Sequence, residues 1–127
     1  EIANLCRSFS ESGKKDLTNA IRSTFELANF KVNISGDYPG WEPNTRTEIL
    51  AVLKNTYENM FGAAPNIQAC HAGLECGILG RNYPDMEMIS FGPTIKGAHS
   101  PDEKVNISST QKFWAYLKEI LKNIPKK

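Results

Sequence analysis

The sequence predicts an α/β fold, and three observations carry that prediction. Apolar residues recur at helical intervals of three and four in separate stretches around residues 17–28, 49–60 and 113–124. Shorter segments between them alternate apolar and polar residues, most clearly Phe30, Val32 and Ile34 against Lys31, Asn33 and Ser35. Stretches dense in Gly and Pro punctuate the chain, above all at 36–44 and 92–101. A chain of 127 residues is the size of one domain and can bury a real core.

Ile2 to Phe9 is apolar enough for a strand, although Arg7 interrupts it. In that place Arg7 is either a solvated edge residue or a planar fork able to grip a carboxylate. Ser10 to Gly13 forms a turn, and Leu17, Ala20, Ile21, Thr24, Phe25 and Ala28 then mark an amphipathic helix with Asn29 at its end. The alternation from Phe30 to Ser35 is a half-buried strand, which completes a strand, helix, strand unit. Gly36 to Asn44 can continue neither element and reads as a linker between two structural units, with Tyr38 and Trp41 pinning it to a core or lining a cleft.

Thr45 or Thr47 can cap a second helix, whose apolar positions are Ile49, Val52, Leu53, Tyr57 and Met60 and which Gly62 ends. Pro65 to Cys70 reads as a short buried strand running into the small-residue turn His71 to Gly77, the place where open α/β sheets put their ligands. Gly73 would let backbone approach a ligand there, and Glu75 stands within reach of a cation. Leu74, Ile78 and Leu79 suggest a short helix ended by Gly80-Arg81-Asn82-Tyr83-Pro84, and Met86, Met88 and Ile89 another strand. Val105 and Ile107 form a brief extended segment. Ser108 with Gln111 has capping-box spacing for a last helix, with Phe113, Leu117, Ile120, Leu121 and Ile124 as its buried stripe and Pro125 as its stop.

The chain is organised around Phe91 to Glu103, where His99 sits among turn-forming residues and two carboxylates. Gly92, Pro93, Gly97 and Pro101 prevent one regular element, so the imidazole is presented from a loop. A neutral imidazole is a good zinc ligand, and its second ring nitrogen commonly donates to a carboxylate, which Asp102 or Glu103 could supply. Spacing alone leaves the alternative of a hydrogen-bonded loop histidine open.

Composition narrows the classes. The net charge of +1, with 15 Lys and Arg scattered along the chain, argues against nucleic acid as a partner. Apolar runs are too short for a membrane span, and no stretch reads as a signal peptide. Cys6, Cys70 and Cys76 are an odd number without zinc-ribbon spacing, and read as reduced, packed thiols of a cytoplasmic protein. The chain begins at Glu1, which suggests a removed leader or a piece of something longer.

His-Ala-Gly-Leu-Glu-Cys-Gly at 71–77, Ser-Phe-Gly-Pro-Thr-Ile at 90–95 and Gly-Ala-His-Ser-Pro-Asp-Glu at 97–103 together resemble the C-terminal motifs of bacterial aminoacyl-histidine dipeptidases. These Xaa-His dipeptidases, or peptidase D, belong to the M20 metallopeptidase family. Arg-Ser-Phe-Ser-Glu-Ser-Gly at 7–13 and Gly-Asp-Tyr-Pro-Gly-Trp at 36–41 are similar to the same family upstream, so the resemblance covers nearly the whole chain.

The resemblance implies a two-zinc catalytic α/β domain interrupted by a lid domain that also makes a homodimer. Residues 1–40 would be the end of that lid and residues 45–127 the C-terminal part of the catalytic domain. On this pattern His99 matches the last zinc ligand, with Asp102 and Glu103 behind it. Arg7 matches a lid arginine that holds the substrate's terminal carboxylate, and Gly73 the turn that approaches bound substrate. The remaining ligands and the general-base glutamate of the family lie upstream of the lid and have no counterpart here, so the chain by itself is expected to be inactive. A catalytic zinc site needs about three protein ligands and an open position. Two other readings stand beside this one: a non-catalytic module binding an anion through Arg7 and the Gly73 turn, and a structural dimerisation fragment.

Overall fold

The computed structural model describes residues 1–71 and 75–124, and its elements run α1 (Glu11–Leu27), α2 (Glu48–Phe61), α3 (Glu75–Asn82), β1 (Ile95–Lys96), β2 (Lys104–Val105) and α4 (Ile107–Asn123). They fall into two compact units, one of residues 1–44 and 68–86, the other of residues 45–67 and 87–127. The second unit thus starts at Thr45, while residues 68–86 group with the first.

In the first unit, α1 starts where Ser10 turns its hydroxyl to accept the Gly13 N–H at 3.4 Å, satisfying a donor that the first helical turn leaves open. It ends in a Schellman arrangement. The Phe30 N–H reaches the Phe25 carbonyl at 3.0 Å and the Asn29 N–H the Glu26 carbonyl at 3.0 Å, with Asn29 in the left-handed region at φ 60°. The Phe25 and Phe30 rings meet edge to face at 5.7 Å across that reversal. The helix expected from spacing is therefore present, with its stop at the expected asparagine.

The strands expected on either side of α1, at 2–9 and 30–35, are absent from the ladders of the described residues. Alternation fixes which face of a segment is apolar, but a strand exists only where another backbone takes up its N–H and C=O groups. Among the described residues neither segment has such a ladder partner, and Leu5, Phe30 and Ile34 stay 76%, 53% and 50% exposed. The segments expected as strands at 65–70 and 86–89 are likewise not strands.

The α3 helix runs through Gly80 and ends at Asn82, inside the stop expected at 80–84. An interior glycine costs a helix only about 1 kcal/mol, and the Tyr83 N–H still reaches the Leu79 carbonyl at 2.8 Å. Pro84 stops it, because the residue before a proline is pushed out of helical geometry. Gly77 is buried against the 39–40 segment, where a Cβ would stand 2.5 Å from the Pro39 carbonyl oxygen.

The second unit carries the core. Leu53, Tyr116 and Ile120 are its buried apolar residues, with Ile49, Tyr57, Phe61 and Ile89 packed around them. α2 begins at the cap Thr47 and ends at Gly62 in the left-handed region at φ 68°, as the sequence leads one to expect. Glu87 adds a second cap from a distance. Its carboxylate accepts the Glu48 and Ile49 N–H groups at 3.2 and 3.0 Å, a negative charge against the positive end of the helix.

α4 starts two residues before the capping-box position. Asn106, not Ser108, is its cap, accepting the Ser109 N–H at 2.8 Å, and Ile107 lies in the first helical turn instead of a strand. Asn106 wins because its amide also takes the Ser108 hydroxyl at 2.7 Å, which occupies the competing side chain. β1 and β2 pair antiparallel, Ile95 with Val105 and Lys96 with Lys104, so residues 97–103 are the loop of a hairpin. That hairpin is tied to α4 by Thr94, whose carbonyl accepts the Asn106 N–H and whose N–H donates to the Ser109 hydroxyl, both at 2.9 Å.

Candidate functional site

The hairpin loop is two turns in series that share Ser100. The Ser100 N–H closes the first on the Gly97 carbonyl at 3.1 Å, and the Glu103 N–H closes the second on the Ser100 carbonyl at 3.1 Å. Pro101 takes the position in the second turn where its fixed φ is already correct. In the first turn the third position requires a positive φ, usually met by glycine or asparagine. That position is His99, at φ 65°. A left-handed backbone costs a residue with a Cβ about 1–2 kcal/mol, and His99 is solvent-exposed, so packing does not hold it there.

Two side chains do. The Glu103 carboxylate accepts the His99 backbone N–H at 3.3 Å, and the Ser100 hydroxyl donates to the Gly97 carbonyl at 2.7 Å. Gly97 is itself left-handed at φ 65°, and a Cβ there would stand 3.0 Å from the Ser100 oxygen. Of the two acids expected behind the imidazole, Glu103 thus meets the backbone of His99. Among the described residues no group of three or more His, Cys, Asp and Glu is placed to hold a metal ion. His99 is consequently a single exposed donor, suited by its chemistry to be one ligand among several.

Arg7 lies in the other unit. It lines an open cleft of about 1280 Å³ between the first residues, α1 and the 30–39 segment, and His71 lines the same cleft. Its walls mix apolar groups such as Phe25, Phe30 and Val32 with the cations Lys15, Arg22 and Lys31. Gly73, expected to approach substrate, falls outside the described residues. The three cysteines form no disulfide.

One polar cluster of the first unit was not anticipated. Lys14 donates to Asp37 at 2.7 Å, to the Tyr38 carbonyl at 2.6 Å and to Glu11 at 3.1 Å, while Glu11 accepts the Gly40 N–H. The Gly40 amide, and after it Lys14, draws the Glu11 carboxyl below its ordinary pKa. Lys14 likewise holds Asp37 below its ordinary value, and the bond to Asp37 raises the ammonium of Lys14. Arg81 of α3 adds a looser contact to Asp37 at 3.6 Å. The cluster fastens the Asp37–Gly40 segment to the first turn of α1. Only the Glu11–Lys14 pair, three residues apart on one helix, is visible in the sequence.

Comparison with known proteins places these features. The model of peptidase family M20/M25/M40 matches residues 7–123. The cytosol non-specific dipeptidase of Escherichia coli (strain K12) is 46% identical over 127 residues, which are 100% of this chain and 26% of that protein. The crystal structure of aminoacylhistidine dipeptidase from Vibrio alginolyticus is similar with a TM-score of 0.77 and 47% identity, covering 94% of this chain and 24% of that one. The chain therefore spans about a quarter of the length of these relatives.

Proposed function

From the premise that the chain belongs to peptidase family M20/M25/M40, we propose that it is the C-terminal part of a zinc-dependent dipeptidase acting on Xaa-His and related dipeptides. The observation that carries this reading is identity of 46% to a dipeptidase along the entire chain, joined to an exposed imidazole at the tip of a hairpin loop. A second relative, the aminoacylhistidine dipeptidase, supports the Xaa-His preference.

His99 would supply one ligand to a site of two zinc ions, the other donors coming from parts of the relatives that this chain does not span. When bound, zinc polarises a carbonyl and lowers the pKa of a coordinated water. The chain's own residues contribute position. His99 would present a ring nitrogen, with Glu103 on its backbone N–H and Asp102 next to Glu103 in the loop. Arg7, lining an open cleft among other cations, would hold the carboxylate terminus of the peptide with two parallel hydrogen bonds, and Gly73 would let backbone come close to the substrate. A clamp on that carboxylate limits the substrate to short peptides.

Residues 1–40 would close a lid domain, and residues 45–127 would belong to the catalytic domain. The exposed apolar side chains of the unladdered segments 2–9 and 30–35 support assembly of a homodimer through that lid. No helix among the described residues is long and apolar enough to cross a membrane, and the similar Escherichia coli enzyme is a cytosolic one, which supports a cytoplasmic enzyme.

The test is a hydrolysis assay with an Xaa-His dipeptide and added zinc. The full-length protein should turn the dipeptide over and lose activity to a chelator, and this 127-residue chain alone should show none above buffer. Arg7→Ala in the full-length protein should raise KM more than it lowers kcat. Robust turnover that follows the short chain through purification would overturn the reading.

A further inference from the structure

The left-handed backbone of His99 is uncommon for a residue with a Cβ, although histidine enters that region more readily than most, and glycine or asparagine is the usual occupant of such a turn position. Strain of this kind persists where the surroundings over-determine it. Around His99 they do: the Glu103 carboxylate takes its N–H at 3.3 Å, and the Ser100 hydroxyl locks the Gly97 carbonyl at 2.7 Å. Two further residues of the loop serve the same end. Gly97 supplies a second left-handed position at φ 65°, and Pro101 presets the turn that returns Glu103 beneath His99.

We infer that Glu103 is a positioning residue that acts through the backbone of His99. By holding the amide N–H, it fixes the φ from which the imidazole is projected, and Ser100 supports it by closing the preceding turn. The inference rests on the reading of His99 as a metal ligand. It differs from a carboxylate bonded to the ring nitrogen, which would act through its charge on the basicity of the imidazole. A backbone hold needs only an acceptor oxygen, and a charge effect needs the ionised acid.

The distinction makes a test. Zinc affinity of the full-length protein is measured by competition with a chromogenic chelator for the parent, His99→Ala, Glu103→Ala, Glu103→Gln and Ser100→Ala, with melting temperature recorded for each. Glu103→Ala should weaken zinc binding about 10- to 100-fold, the loss typical when a group that orients a ligand is removed. Glu103→Gln, whose amide oxygen can accept the same N–H, should stay within a few-fold of the parent. Ser100→Ala should weaken binding in the same direction but less, which keeps the inference testable if Glu103→Ala fails to fold. Glu103→Gln as damaging as Glu103→Ala, or Glu103→Ala with parental affinity, would overturn the inference while His99→Ala still loses metal. His99→Ala with its full metal content would overturn the ligand reading and this inference together.

Discussion

The Tyr116 hydroxyl of α4 donates to the Leu53 carbonyl of α2 at 2.7 Å, in the interior of the second unit. The bond ties the two helices at the point where they pack, and the Tyr116 ring meets Tyr57 and Phe61 edge to face at 5.4 and 6.1 Å. A buried phenol is favoured where its O–H has an acceptor and its ring has aromatic neighbours.

Tyr116→Phe keeps the ring contacts and removes only the hydrogen bond, so it should cost about 0.5–1.5 kcal/mol. Urea denaturation followed by circular dichroism measures this. Burial also raises the Tyr116 pKa. A group raised on folding contributes stability that is complete below its unfolded pKa and is lost as the pH climbs through the folded one. The parent should therefore lose stability at strongly alkaline pH, and the Phe variant should lose less of it.

The Lys14 cluster should show itself at the opposite end of the pH scale. Glu11 and Asp37 have folded pKa values below their ordinary ones, so their contribution is present above the ordinary carboxylate range and fades as pH falls through the folded values. Lys14→Met should flatten that acid limb of the stability profile, measured as melting temperature from pH 7 down to about pH 2. An unchanged limb would mean that solvent screens the cluster completely.

Two glycines separate a steric demand from a conformational one. At Gly77 a Cβ would meet the Pro39 carbonyl oxygen at 2.5 Å, whereas at Gly36, with φ 70°, it would meet nothing within 4 Å. Gly77→Ala should cost about 1–3 kcal/mol, as overpacking against backbone does. Gly36→Ala should cost about 1–2 kcal/mol through its left-handed backbone alone, and Gly36→Asn should recover part of it. Chemical denaturation of the three variants decides the ordering.

Helices were legible in the sequence because what makes them is local. Thr47 and Gly62 cap α2 at its two ends, and the three- and four-residue spacing of Ile49, Val52, Leu53 and Tyr57 lies within it. Strands were not, because Phe30 to Ser35 can announce an apolar face but cannot supply the neighbouring backbone. Where two local signals competed, as Asn106 and Ser108 did for the start of α4, the choice turned on a side-chain bond between them. The hairpin loop was legible as turns, and the motif around His99 named its family. Its left-handed backbone and the backbone role of Glu103 were invisible in spacing. Lys14 and Asp37 lie 23 residues apart, and no periodicity links them.

The reversal at the end of α1 bears on the order in which the chain folds. Its bonds join residues three and five apart, Asn29 to Glu26 and Phe30 to Phe25, and the two rings that seal it belong to that same Phe25 and Phe30. Such short-range closure forgoes little loop entropy and can form on the timescale of a helix, well ahead of any pairing between distant segments. The direction in which residues 30–35 leave the helix is thus set by contacts local to its end.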